Sequence, residues 1–213
     1  MSEKKHFIQS IYLPVLLVIL FWISKLFEVV FEIDFGFLGV FPREVKGLPG
    51  ILLSPFIHGD FNHLISNSLP FFILFTGLLY FYRKISIKVF LLIYILTGMC
   101  VWLGGRPVYH IGASGVVYGL ASFIFFSGIY RKNRALLAIS LLTIFLYGGM
   151  FWGLFPVKEG VSWESHLFGF ITGLLIAIYY KNEKTYLDDD EISGSNISST
   201  YDFEIAYEIT EED

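Results

Sequence analysis

Six long apolar runs constrain this chain more than anything else in it. They lie at about Ile11–Phe31, Asn62–Tyr82, Val89–Leu103, Ala113–Tyr130, Ala135–Phe155 and Ser165–Tyr180. A helix that crosses the hydrocarbon core of a bilayer needs roughly 20 mostly apolar residues. The third and sixth runs are short, so their ends are expected to dip into the membrane or be capped by loops, with backbone groups satisfied by protein or water. The composition agrees: 16% of the 213 residues are charged and 55% are hydrophobic, whereas a soluble domain carries about 25% charged residues. The predicted fold class is therefore an all-α membrane protein, a bundle of six transmembrane helices. The connection Ile33–Asp60, rich in Gly, Pro and Phe, is expected to be a folded first loop, either partly embedded or lying outside the bilayer.

The net charge of −4 is unevenly spread. From Asn182 onward there are 11 acids and one base, Lys184; before it there are 14 bases and 8 acids. Basic residues collect on the cytoplasmic side of membrane proteins. Lys4, Lys5, Arg83, Lys84, Lys88, Arg131, Lys132, Arg134, Lys181 and Lys184 fall on one side of the six runs; Arg43, Lys46, Arg106 and Lys158 fall on the other. Ten against four puts both termini in the cytoplasm. Lys25 lies within the first run and is expected to snorkel. Three parts follow: residues 1–10 as a cytoplasmic N-terminal segment, 11–181 as the membrane domain, and 182–213 as an acidic tail. That tail is too polar to offset the entropy of ordering and reads as disordered, with a conceivable docking motif at Tyr201-Asp202-Phe203-Glu204. The single Cys100 rules out an intrachain disulfide framework. No zinc-ligand spacing, phosphate-binding glycine loop or basic nucleic-acid face is present, so neither a metal, a cofactor nor a nucleic-acid partner is expected.

Polar residues inside the runs carry the chemistry. Taking the basic residue that ends each run as a ruler, Ser114 is 17 residues before Arg131, His166 is 15 before Lys181 and Asn67 is 16 before Arg83. At 1.5 Å per residue all three lie roughly 22–25 Å above the cytoplasmic edge, and His63 lies one turn higher. Gly115-x-x-x-Gly119 follows Ser114, and Gly169-x-x-x-Gly173 follows His166. Small residues at this spacing let helix backbones approach closely in lipid, which would bring the hydroxyl and the imidazole together. A serine needs a base to become a nucleophile, and histidine suits that task near neutrality. Attack on a carbonyl creates an oxyanion that needs preorganised donors. The Ser114 N–H at a helix start is one; His63 and Asn67, at i and i+4, share a helix face and supply others. Tyr118 is one turn beyond Ser114 and can pack on the imidazole, and Gly112 clears space for a substrate backbone. Glu164, two residues before His166, points elsewhere on a helix. The spacing assigns no role to His58, and His110 sits ahead of the helix rather than at the base's place.

Gly112-Ala113-Ser114-Gly115, His63-x-x-x-Asn67 and His166-x-x-Gly169-x-x-x-Gly173, in this order and spacing, resemble the motifs of rhomboid intramembrane serine proteases. The resemblance covers roughly Leu13 to Tyr180. It implies a six-helix bundle with a Ser114–His166 dyad at the base of a water-filled cavity open to the outside. It also implies that Tyr118 stacks on His166, and that the Ser114 N–H, His63 and Asn67 form an oxyanion hole. Many members have a Trp-Arg pair in the first loop, where this chain has Phe41-Pro42-Arg43. The resemblance further implies substrates that are themselves membrane proteins, entering sideways between the second and fifth spans. There Gly148, Gly149 and Gly153, set among Phe151, Trp152 and Phe155, are compatible with a mobile gate or with ordinary lipid-facing aromatics. A bacterial-type plasma membrane is the expected location. Two other readings stay open at this point: an inactive binder of membrane proteins on the same fold, and a six-span transporter using His63, Asn67 and His166 as an ion path. If the tail is dispensable, a chain truncated after Lys184 should cleave a reconstituted test substrate as fast as the full chain, as judged by gel densitometry.

Overall fold

Helix α5, Ser114–Arg131, is the axis of the molecule. In the computed structural model, which describes residues 3–146, 152–156 and 162–183, 12 of its residues are buried, so neighbours surround it on most sides. The other α-helices among the described residues are α1 (Glu3–Phe31), α2 (Gly50–Leu53), α3 (Phe61–Phe81), α4 (Ser86–Gly104), α6 (Arg134–Leu146) and α7 (Trp163–Tyr179). Helices α3, α4, α6 and α7 all pack against α5, and α1 leans on α3. Short 3-10 turns at Gly36–Leu38, Val45–Gly47, Ser54–Phe56 and Trp152–Leu154 occupy the connections. The described residues form the all-helical bundle expected from the apolar runs.

Large apolar side chains lie on the outside of the bundle as well as in its core. Helix α1 buries only His6, Ser10, Pro14, Phe21 and Glu28, while Leu16, Ile19, Ile23, Leu26 and Val30 face outward. The buried face of α5 instead includes glycine and serine. Among the described residues, three helices are long and apolar enough to cross a membrane: Glu3–Phe31, Phe61–Phe81 and Ser86–Gly104. The shorter apolar helices are Arg134–Phe145 and Trp163–Tyr179. Apolar side chains gain little from packing against each other when lipid is the alternative, so small residues and backbone contact do the joining inside.

The clearest case is α5 against α7. A Cβ built on Gly169 would lie 2.0 Å from the Gly115 carbonyl oxygen, and one on Gly173 would lie 2.1 Å from that of Gly119. The two helix backbones therefore touch along two successive turns. Elsewhere the core is aromatic: Phe75 stacks on Phe90 at 4.1 Å between centroids, and Phe21 meets Phe71 edge to face at 5.1 Å.

Helix ends follow local chemistry. Asp60 caps α3 by accepting from the His63 N–H at 2.8 Å, as an N-cap carboxylate does. Lys132 adopts a left-handed φ of 54° to end α5, and Asn133 Oδ1 accepts from the Ala135 and Leu136 N–H groups at 3.0 and 3.2 Å to start α6. Helix α1 begins earlier than its apolar run. Residues 3–10 continue the same helix, because His6 Nε2 donates to the Tyr80 carbonyl at 3.0 Å and Tyr80 Oη donates to Glu3 at 3.2 Å. Lys25 does not snorkel. Its side chain is 12% exposed and bonds to Glu28 at 3.2 Å and to the Gly59 carbonyl at 2.9 Å, because a carboxylate and a carbonyl are nearer than the interface. The fifth apolar run is not one continuous α-helix to Phe155: Trp152–Leu154 forms a 3-10 turn. Gly148, Gly149 and Phe151 of the expected gate, Lys158, and the tail from Lys184 with its Tyr201–Glu204 motif lie outside the described residues.

The first loop is sewn to the bundle. Val40 and His110 exchange two backbone hydrogen bonds, each 2.9 Å. Arg43 donates to the carbonyls of Leu103 at 3.3 Å and Gly105 at 3.0 Å. Gly50 packs its Cα against the Gly39 backbone, where a Cβ would sit 2.2 Å from the carbonyl carbon. Replacing Gly173 with alanine is expected to lower the free energy of unfolding in detergent micelles by about 1–3 kcal/mol or more, since the methyl has only backbone to displace. Thermal or chemical denaturation followed by circular dichroism measures this.

Candidate active site

Ser114 is the first residue of α5, so its N–H is one of the four that a helix start leaves without an intrahelical partner. The turn before it is made possible by Gly112, which has φ +100°. Gly112 is also constrained from above. A Cβ on it would fall 2.6 Å from His63 Nε2, so the imidazole of His63 lies directly over the Gly112 backbone. The Gly112 N–H is held by the Ser54 carbonyl at 2.9 Å.

The glycine crossing brings His166 to Ser114. His166 Nε2 and Ser114 Oγ are 2.8 Å apart. The other ring nitrogen, Nδ1, is 2.8 Å from the Gly153 carbonyl oxygen. A carbonyl can only accept, so Nδ1 carries the proton and Nε2 presents its lone pair to the serine hydroxyl. The ring of Tyr118 lies on the imidazole at 4.2 Å between centroids and 6° between planes. His166 is 8% exposed, held on one face by tyrosine and at both nitrogens by oxygen atoms. This geometry can move a proton from Ser114 to Nε2 without a change of tautomer.

Asn67 is buried at 4% exposure on the same face of α3 as His63. Its Nδ2 donates to the His63 carbonyl at 2.8 Å, one turn back on its own helix. Of the remaining histidines, His58 is packed with its ring 5.1 Å from that of His63 and 5.5 Å from Phe21. His110 faces away from the dyad, with Nδ1 2.5 Å from Ser162 Oγ and Nε2 3.0 Å from the Arg106 carbonyl. Glu164 points elsewhere, as its position two residues before His166 requires, and pairs with Arg106. No group of three or more metal-ligating side chains occurs among the described residues.

Sequence reasoning missed Gly153. It was noted as a candidate gate residue, and its carbonyl is what orients the imidazole. Nothing in a side-chain pattern signals a backbone acceptor; the only hint was a glycine near the end of the fifth run. A Cβ there would lie 2.2 Å from Tyr118 Oη and 2.9 Å from His166 Nδ1, which is why this position has none.

A family model described as Rhomboid domain matches residues 46–183, more than half of the chain. An uncharacterized protein of Mycobacterium tuberculosis (strain H37Rv) is 34% identical over 150 residues, covering 65% of this chain and 62% of its own length. The chain thus spans less than two thirds of that relative. A Bacillus subtilis (strain 168) protein designated a candidate rhomboid protease, YdcA, is 28% identical over 151 residues, 63% of this chain and 70% of its own.

The tautomer is open to direct measurement. In protein labelled with 15N-histidine, the His166 signals, assigned by their loss in His166→Asn, should report a protonated Nδ1 and an unprotonated Nε2 at neutral pH.

Proposed function

The chain belongs to the rhomboid family, and on that premise we propose that it is an intramembrane serine endopeptidase acting on transmembrane segments of other membrane proteins. The observation that carries this reading is the 2.8 Å contact of His166 Nε2 with Ser114 Oγ, in a tautomer that leaves Nε2 free to accept. Apolar outer faces on an all-helical bundle support an integral membrane protein. The six-span count rests on α1, α3, α4, α5, α6 and α7 each occupying one apolar run, and the basic residues favour cytoplasmic termini with a site that opens outward.

In the proposed reaction Ser114 Oγ attacks a peptide carbonyl carbon while His166 Nε2 takes the hydroxyl proton. The carbonyl oxygen becomes an oxyanion, stabilised by the Ser114 N–H at the start of α5, by His63 above Gly112 and by Asn67. The protonated imidazole stays in place through Nδ1–H to the Gly153 carbonyl and the stacked Tyr118 ring. Nε2 then returns the proton to the leaving amine, and an acyl-enzyme on Ser114 remains. Water, deprotonated by the same Nε2, hydrolyses it. The backbone carbonyl of Gly153 here takes the orienting place that a carboxylate holds in a triad.

An intact helix ties up its carbonyls in hydrogen bonds, so the scissile segment must unwind. Substrates with Gly, Pro or other small residues near the outer interface are favoured. Entry sideways between α3 and α6 agrees with Trp152 and Phe155 standing exposed near the dyad's edge.

The test is cleavage of a single-span substrate in proteoliposomes. Ser114→Ala and His166→Ala should each lower the rate by at least roughly 10³-fold. Equal cleavage by the wild type and both variants would refute the reading, and binding of the substrate without cleavage by any of the three would favour an inactive binder.

A further inference from the structure

Ser114 and His166 meet at the ends of their helices, not in the middle. Ser114 is the first residue of α5 and His166 the fourth of α7. Helix ends are the least constrained part of a helix. The glycine faces that bring α5 and α7 together fix the distance between axes, and along the helices Ser122 Oγ donates to the Phe170 carbonyl at 2.7 Å and Tyr118 stacks on His166. Neither of these links joins the start of α7 to the segment that leads into the Ser114 turn.

Two side-chain links do so, and both join the start of α7 to one segment, Arg106–His110, that runs directly into the Gly112 turn. In the first, Glu164 receives the Arg106 guanidinium through two parallel bonds: Arg106 Nε donates to Oε1, and Nη2 donates to Oε2 at 3.2 Å. The Glu164 side chain is 4% exposed and that of Arg106 is 51% exposed, so the carboxylate is buried and the guanidinium reaches in from the surface. In the second, His110 Nε2 donates to the Arg106 carbonyl at 3.0 Å. That makes Nδ1 an acceptor for the Ser162 hydroxyl at 2.5 Å. Ser162 Oγ in turn accepts from Ser165 Oγ–H at 2.6 Å. Every proton in this chain has one direction.

Ser162 is the residue before α7, the place where a serine hydroxyl ordinarily caps its own helix. It makes no side-chain cap bond here; its hydroxyl is committed to His110 instead, and the Ser165 N–H is taken by the Ser162 carbonyl at 3.1 Å. Helix capping has been given up for a cross-link. The segment that receives both links is itself fixed, by the Val40–His110 backbone pair and by Arg43 on the Gly105 carbonyl. From the clamp to the dyad the covalent paths are short: Glu164 is two residues from His166, and His110 is four from Ser114.

We propose that Arg106–Glu164, with His110–Ser162 beside it, is a positioning clamp that sets the register of His166 against Ser114. Arg106, Glu164, His110 and Ser162 are positioning residues, and none of them touches the reacting atoms. The inference rests on the serine-protease reading above. A two-point guanidinium–carboxylate bond fixes orientation as well as distance, which a lysine at the same place does not.

The test uses the full chain in proteoliposomes with a single-span substrate. Steady-state kcat and KM are measured for wild type, Arg106→Lys, Glu164→Gln, Ser162→Ala and the Arg106→Lys/Glu164→Gln double variant, with the unfolding midpoint of each. Each single variant should lose kcat by roughly 10- to 100-fold, the cost of a misplacement near 1 Å. KM should stay within about twofold, since no substrate contact is removed. The double variant should be no slower than the slower of its two single variants, because the two residues act as one unit. Wild-type kcat in the single variants, or a loss of kcat that only tracks the fraction of unfolded protein, overturns the clamp while leaving the protease reading intact. A wild type whose cleavage does not depend on Ser114 overturns both.

Discussion

Everything at this site depends on two helix backbones touching. Gly115 and Gly119 on α5 meet Gly169 and Gly173 on α7 with no room for a β-carbon at the latter pair. In lipid there is little hydrophobic gain in burying one apolar side chain against another, so contact between backbones is one of the few strong ways to join helices. The same contact brings a serine at one helix start within hydrogen-bond reach of a histidine one turn into the other. The site is thus a by-product of how the bundle is joined. It also accounts for the glycines and serines among the buried residues of α5, while the outer face of α1 carries Leu, Ile and Val.

Much of this was legible in the residues. The apolar runs give the helices to within a few residues for α3, α5 and α7, because the basic pairs and caps that end them are local signals. The glycine pairs beside Ser114 and His166 indicate the close crossing that the α5–α7 contact shows. What was not legible is backbone and long-range polar chemistry. No side-chain pattern announces that the Gly153 carbonyl receives His166 Nδ1, or that Ser162 turns from its own helix to His110. Lys25 was misjudged for the same reason. Its partners, Glu28 and the Gly59 carbonyl, come together only once the first loop folds back on α1. The early start of α1 at Glu3 likewise depends on Tyr80, 77 residues away.

The first loop illustrates how one sequence departure is absorbed. The Phe41-Pro42-Arg43 stretch brings a single arginine to the carbonyls that end α4, and the His110 backbone pairs with that of Val40 alongside. Hydrogen bonds thus join the loop, the segment before Ser114 and the start of α7.

The central claim is that His166 activates Ser114 in the folded protein. Intact-mass and peptide mass spectrometry after treatment with a small fluorophosphonate tests it most directly. The account predicts a single adduct, mapped to Ser114, that forms in the folded protein and fails to form after denaturation or in His166→Ala. An adduct on another serine, or undiminished cleavage of substrate by protein fully modified at Ser114, would contradict it.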